Sequence, residues 1–399
     1  MTGEAVMTGE AVMTGGEVGP FVLRGCIEDW AASRWTPDTL VSLFGDQRLS
    51  VRFGPRQHDC GRVLFEPQCP RLDASLADFF EWADGKRHFG ELRADSHWGY
   101  VDYKYLFDTI PPDRLKDVDW TAFGLDADGT DSAVWIGTAG AYTPCHYDTY
   151  GFNLHAQLFG KKRWLLFPPS DDLKATRIPY EDSSVFSNLD ILSCPVELSS
   201  THPHMVELEP GDVLYVPPHW WHFVQCLDLS ISVNAWMPVA QLDAQMRQQE
   251  ACTRMLFALL CRNGLIDQQS ALCPSETETV ACEDTLALLN AVAADVDEQV
   301  DDLTDASEPP PAKKQRQSDD THSAFVRRFL NSTHRRPVAV VDMTSLKTAL
   351  ENGPLHLLRP SAPDDDIVPT RQEVTEQRFL DCLLHPHVMS ALAAVINRT

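Results

Sequence analysis

TPCHYDTYGFNLHAQLFGKKRW, Thr143 to Trp164, decides the reading of this chain. In a strand, successive side chains alternate between faces, so His146 and Asp148 point the same way and Tyr147 points opposite. A run of strand-forming residues follows, broken at Gly160 before Lys161 and Lys162. If the shared face lines a barrel, an imidazole and a carboxylate converge on one interior point. Such a pair recurs by chance in many chains, so a third ligand has to come from elsewhere.

From about Ser132 to Pro238 the texture is short β-rich runs cut by Gly, Pro and Asp: AVWIGTAG, FNLHAQLFG, RWLLFPP, GDVLYVPP and LSISVNAW. Many short strands with turn signals between them predict a sandwich or barrel. GDVLYVPPHWWHFV sets a turn at Gly211-Asp212, a strand, a Pro-Pro break and then His222 at the head of the next run. Two ligands from one strand face and one from a later strand fit the two-histidine, one-carboxylate arrangement of non-haem Fe(II) oxygenases. His219 competes for the third place. Two prolines and two tryptophans around it argue against a helix, which reads His219 as a surface or supporting residue. A 2-oxo acid completing the metal's open positions needs a fixed cation for its distal carboxylate. Lys161 and Lys162 both stand at a suitable place, and alternation across the Gly160 turn does not choose between them.

TPxHYD, NLxxQxxGxKRWLLFPP, GDVLYVPPxWWH and the front element PFVLRGCIEDW together resemble the JmjC family of Fe(II)- and 2-oxoglutarate-dependent oxygenases, within its small-hydroxylase subgroup, over Gly19 to Met237. The resemblance implies a double-stranded β-helix, the jelly-roll barrel of cupins, in an α+β, mainly β chain. It implies that His146, Asp148 and His222 bind Fe(II), and that Thr143 and Lys162 hold the distal carboxylate of 2-oxoglutarate. Asn153 and Asn234 would line the cosubstrate pocket, although the step from Asp148 to Asn153 is one residue longer than in the asparaginyl hydroxylase of that subgroup. No catalytic residue is implied beyond the metal ligands. RWLLFPPSDDLKATRIPYEDSSVFSNLDI narrows the resemblance to a branch associated with small heat-shock proteins and stress response, which implies such a partner. The expectation is an oxygenase hydroxylating a protein side chain; the alternative is a non-catalytic scaffold that associates with a small heat-shock protein.

Around this core, residues 1–18 repeat a glutamate-bearing unit without an apolar core and read as a disordered tail, neither signal peptide nor membrane helix. Residues 19–131 read as strands and helices flanking the barrel, including a helix LADFFEWADG with Leu76, Phe79, Phe80 and Ala83 on one face. Residues 132–238 are the barrel, and 239–283 are helices that pack on it or on a second subunit, so a homodimer is left open. Residues 284–323 read as an acidic, Pro-rich linker carrying the basic cluster AKKQR, and 324–399 as a small, mostly helical appendage with a strand at PVAVVDM. A net charge of −25, from 58 Asp+Glu against 33 Lys+Arg, disfavours RNA and anionic membranes as partners. Eleven cysteines without a CxxC pair read as reduced thiols, hence a cytoplasmic protein, with the basic cluster the one pointer to the nucleus.

Overall fold

The computed structural model describes residues 18–274, 283–292, 313–359 and 376–396. The expected tail, apart from Val18, lies outside the described residues. In chain order the strands are β1 (Phe21–Arg24), β2 (Leu49–Pro55), β3 (Gln57–Asp59), β4 (Arg71–Ala74), β5 (His97–Tyr105), β6 (Ala133–Gly137), β7 (Tyr142–Asp148), β8 (Phe152–Phe159) and β9 (Lys162–Phe167). They continue with β10 (Ala175–Glu181), β11 (Ser184–Ser187), β12 (His204–Leu208), β13 (Asp212–Val216), β14 (Trp221–Cys226), β15 (Ser230–Met237), β16 (Arg335–Pro337), β17 (Ala339–Val340) and β18 (His356–Leu358).

Two antiparallel sheets form the barrel. The larger has the order β16-β1-β13-β8-β15-β6-β5-β2-β4 and the smaller β10-β11-β7-β14-β9-β12-β17. The double-stranded β-helix expected from the sequence is the observed architecture.

The alternation on β8 and β15 explains why the site is built here. Phe152, Leu154, Ala156 and Leu158 of β8, with Ile231, Val233, Ala235 and Met237 of β15, face away from the barrel interior and join the largest apolar cluster. Asn153 and His155, with Asn234 and Trp236, face inward and line a cavity. The apolar face of the sheet is thus its outer face, and the N-terminal region exists to cover it. Trp30, Trp35, Phe79, Trp82 and Trp120 do so, all of them buried. Trp30 meets Trp120 edge to face at 4.9 Å, an arrangement the ring quadrupoles favour. Helix Leu76–Ala83, capped by the Ser75 hydroxyl accepting from Asp78 N–H, buries Leu76, Phe79 and Trp82, so Trp82 rather than Phe80 completes its inner stripe.

The C-terminal segment is mostly helical and also lends strands to both sheets. β16 pairs with β1 at the edge of the larger sheet, and β17 pairs with β12 at the edge of the smaller. Helix Met343–Glu351 buries Leu346 and Leu350 in the second apolar cluster. Helix Ala240–Arg262 is fixed to β10 by Arg177 and Glu250, a buried pair with two hydrogen bonds of 2.6 Å. Its Leu259 remains 39% exposed.

Two boundaries of the expected linker are corrected. Residues 283–292 are helical, and 313–323 belong to a helix, Lys313–Leu330, that also contains the Lys313–Arg316 cluster. Phe325 and Phe329, four residues apart on one helix face, stack into the core against Phe152 at 5.3 Å and Phe123 at 5.8 Å. Phe325 and Phe329 anchor this helix, joined by His322, whose ring lies 4.7 Å from Phe152 and whose Nε2 is 2.9 Å from Tyr215 Oη. No described helix is long and apolar enough to cross a membrane.

Candidate metal centre

β7 and β14 are neighbours, with His146 opposite His222. Ligand atoms of His146, Asp148 and His222 all lie within 4.8 Å of one another. His146 Nε2 is 3.7 Å from Asp148 Oδ1, and His222 Nε2 is 4.0 Å from Asp148 Oδ2. Each imidazole is held from behind: His146 Nδ1–H donates to Pro144 O at 2.8 Å and His222 Nδ1–H to Trp220 O at 2.9 Å. A carbonyl oxygen only accepts, so both rings carry a proton on Nδ1 and turn Nε2 inward. Burial, reinforced by neighbouring His222, lowers the His146 pKa to about 4 and keeps this ligand neutral at physiological pH. Two imidazole nitrogens and one carboxylate on one side of a cavity fit a divalent iron that keeps positions open.

The carboxylate has its own supports. Asp148 Oδ2 accepts from Trp236 Nε1–H at 2.9 Å and from Asn153 Nδ2 at 3.4 Å. Asn153 Oδ1 accepts from Asn234 Nδ2 at 3.1 Å, and Asn234 Oδ1 from Trp135 Nε1–H at 2.7 Å. An indole N–H can only donate, so Trp135 fixes the orientation of both amides and makes a one-way chain ending on the metal-facing carboxylate.

At the other end of the cavity the two lysines part. Gly160 turns at φ +63°, where a Cβ would collide with Leu229 O; beyond it Lys161 is exposed and pairs with Glu209, while Lys162 is fully buried. Lys162 Nζ donates to Ser232 Oγ at 2.8 Å and to Tyr100 Oη at 3.3 Å. Burial lowers its pKa to about 8, since no carboxylate accompanies it among the described residues.

Thr143 reaches the same cavity against simple alternation, because it stands three positions, an odd step, from His146. The register supplies the reason: His222 faces His146 and Val224 faces Thr143, so three steps on β7 match two on β14. That bulge at Pro144-Cys145 re-aims one side chain.

All seven expected site residues line one cavity. The sequence reading missed Tyr100, Ser232, Trp135 and Trp236, which hold the expected residues in place. Trp236 could have been found from its parity with Asn234; Tyr100 comes from a distant strand that no spacing announces. Tyr150 does not line this cavity. It borders a separate one with Arg247 and Arg254. His219 sits at φ +59° and donates from Nε2 to Thr149 O at 3.1 Å, outside the ligand set. Trp220 and Trp221 are buried in two different apolar clusters, as packing residues.

Residues 15–238 match the cupin-like domain family Cupin_8. HSPB1-associated protein 1 of Bos taurus is 38% identical over 286 residues, which is 68% of this chain and 59% of that protein. Its counterpart in Homo sapiens is 36% identical over 290 residues, 69% of this chain and 59% of that protein. Jumonji C domain-containing protein 5 of Drosophila melanogaster is 32% identical over 232 residues, 54% of each chain. The chain spans about three fifths of the length of the two mammalian relatives.

Proposed function

The chain belongs to the cupin-like family of JmjC-domain proteins, and from that premise we propose that it is an Fe(II)- and 2-oxoglutarate-dependent oxygenase hydroxylating a protein side chain. The observation that carries this reading is the convergence of two histidines, a carboxylate and a buried lysine on one cavity. When bound, iron and 2-oxoglutarate supply an oxidative hydroxylation in which dioxygen is the oxidant and the oxo acid is decarboxylated to succinate.

The chain's own residues do the positioning. His146, Asp148 and His222 present three donors to the metal. Lys162 offers an ammonium, with Thr143 beside it on the bulge, to the distal carboxylate, and Asn153 and Asn234 present amides between the two ends. Trp135, Trp164, Trp236 and Val224 wall the cavity. Charge that costs free energy to bury is thereby kept for the ligand that neutralises it. The names of the mammalian relatives support a small heat-shock protein as partner, and the acidic net charge supports protein over RNA as substrate.

The test is succinate release from 2-oxoglutarate by iron-loaded protein in air, beside His146→Ala and Lys162→Ala. Turnover lost in both variants is expected. Absence of turnover and of 2-oxoglutarate binding in the unaltered protein refutes the oxygenase reading and leaves a binding scaffold.

A further inference from the structure

His155 lines the cavity at 4% exposure, yet its Nε2 has no hydrogen-bond partner among the described residues. The Trp164 ring stands edge-on to it at 4.7 Å, and Trp164 Nε1, in the same wall, also lacks an acceptor among the described residues. A buried polar atom left unpaired costs about 1 to 3 kcal/mol, so such atoms are rare unless something else satisfies them.

The register gives their position. Along β8 and β15, Asn153 faces Trp236, His155 faces Asn234, and Gln157 faces Ser232. The first pair supports Asp148 and the last holds Lys162 through Ser232. His155 therefore occupies the layer between the metal end and the lysine end. Burial, with the nearby lysine, depresses its pKa well below the usual histidine range, so the ring is a neutral donor and acceptor.

We propose, resting on the oxygenase reading above, that His155 is a cosubstrate contact: it hydrogen-bonds 2-oxoglutarate from the side wall and helps set the affinity and selectivity of the cavity for that oxo acid. The residue is kept at the expense of the ligand-free protein, which carries its unpaired nitrogen, and the bond is made when the oxo acid enters.

Titration calorimetry of 2-oxoglutarate into Mn(II)-loaded protein under nitrogen tests this without turnover. H155L and H155Q are compared with the unaltered protein, together with Mn(II) affinity and the melting temperature of the metal-free forms. The expected result is a dissociation constant about tenfold larger for H155L, roughly the loss of one hydrogen bond to an anion, and a smaller change for H155Q. Mn(II) affinity is unchanged, and metal-free H155L melts no lower than the unaltered protein. Binding by H155L within twofold of the unaltered protein overturns the proposal while the oxygenase reading stands, and so does equal weakening in both variants, which marks a purely steric role. No binding by the unaltered protein overturns both.

Discussion

Replacing Lys162 by methionine keeps most of the length of the side chain and removes its charge, and the consequence for folding depends on pH in a way the structure fixes. Lys162 is fully buried, and burial takes its pKa from 10.5 to about 8 in the ligand-free protein. At about 1.4 kcal/mol for each tenfold in proton affinity, the drop amounts to roughly 3 kcal/mol. The sign follows from linkage. Below pH 8 the ammonium is protonated in folded and unfolded chains alike, and the folded state carries the whole penalty. Between pH 8 and 10.5 the unfolded chain binds more protons, so the contribution of this group to stability rises with pH by that amount. Methionine removes the penalty and also the hydrogen bonds to Ser232 and Tyr100, which are worth about 1 to 2 kcal/mol together. Metal-free Lys162→Met is therefore expected to be more stable than the unaltered protein by about 1 to 2 kcal/mol at pH 7, with the advantage vanishing or reversing by pH 10. Urea unfolding in chelator at pH 7, 8.5 and 10 measures the difference, and other titrating groups cancel between the two proteins. A difference that stays constant across that range, or a variant less stable at pH 7, refutes the reasoning.

Trp236→Phe keeps an aromatic ring but removes the 2.9 Å donor to Asp148 Oδ2. Mn(II) or Co(II) affinity is expected to fall about tenfold, the effect of losing one outer partner of a metal ligand, with little change in melting temperature; an unchanged affinity counts against the support role. Phe329→Ala, at a site 6% exposed and stacked against Phe123 and Phe325, is expected to destabilise the barrel by about 3 kcal/mol in a single cooperative transition. A separate early transition with the barrel unaffected shows instead that helix Lys313–Leu330 docks independently.

Much of this arrangement was legible because period-two alternation is a property of the strand itself. His146 and Asp148 share a face for that reason, and the Pro-Pro break before His222 marks where the next strand starts. Alternation failed at Thr143, where the bulge opposite Phe223 shifts the register by one, and only the resemblance to a family supplied the residue. Tyr100 and Ser232 were invisible for a different reason: they meet Lys162 across sheet order, a property of topology that local sequence does not carry. Helix Lys313–Leu330 was misread because composition averages over residues, whereas docking rests on a few of them, Phe325 and Phe329 foremost. The inward polar and outward apolar pattern of β8 was readable as alternation, but which face pointed inward was not, since both faces are buried.

The short strands β16 and β17 give the chain an order of events. Each covers an edge strand of one sheet, β1 or β12, yet they lie roughly a hundred residues beyond the end of β15. At synthesis rates of about 5 to 20 residues per second, the ribosome extends the chain for some 5 to 20 seconds while both edges stay open. An open edge is a template for pairing with other chains. The nascent barrel is thus exposed to aggregation for that interval. A fragment ending at Pro238, where the cupin-like match stops, would keep both edges open permanently and is a poor choice for recombinant expression.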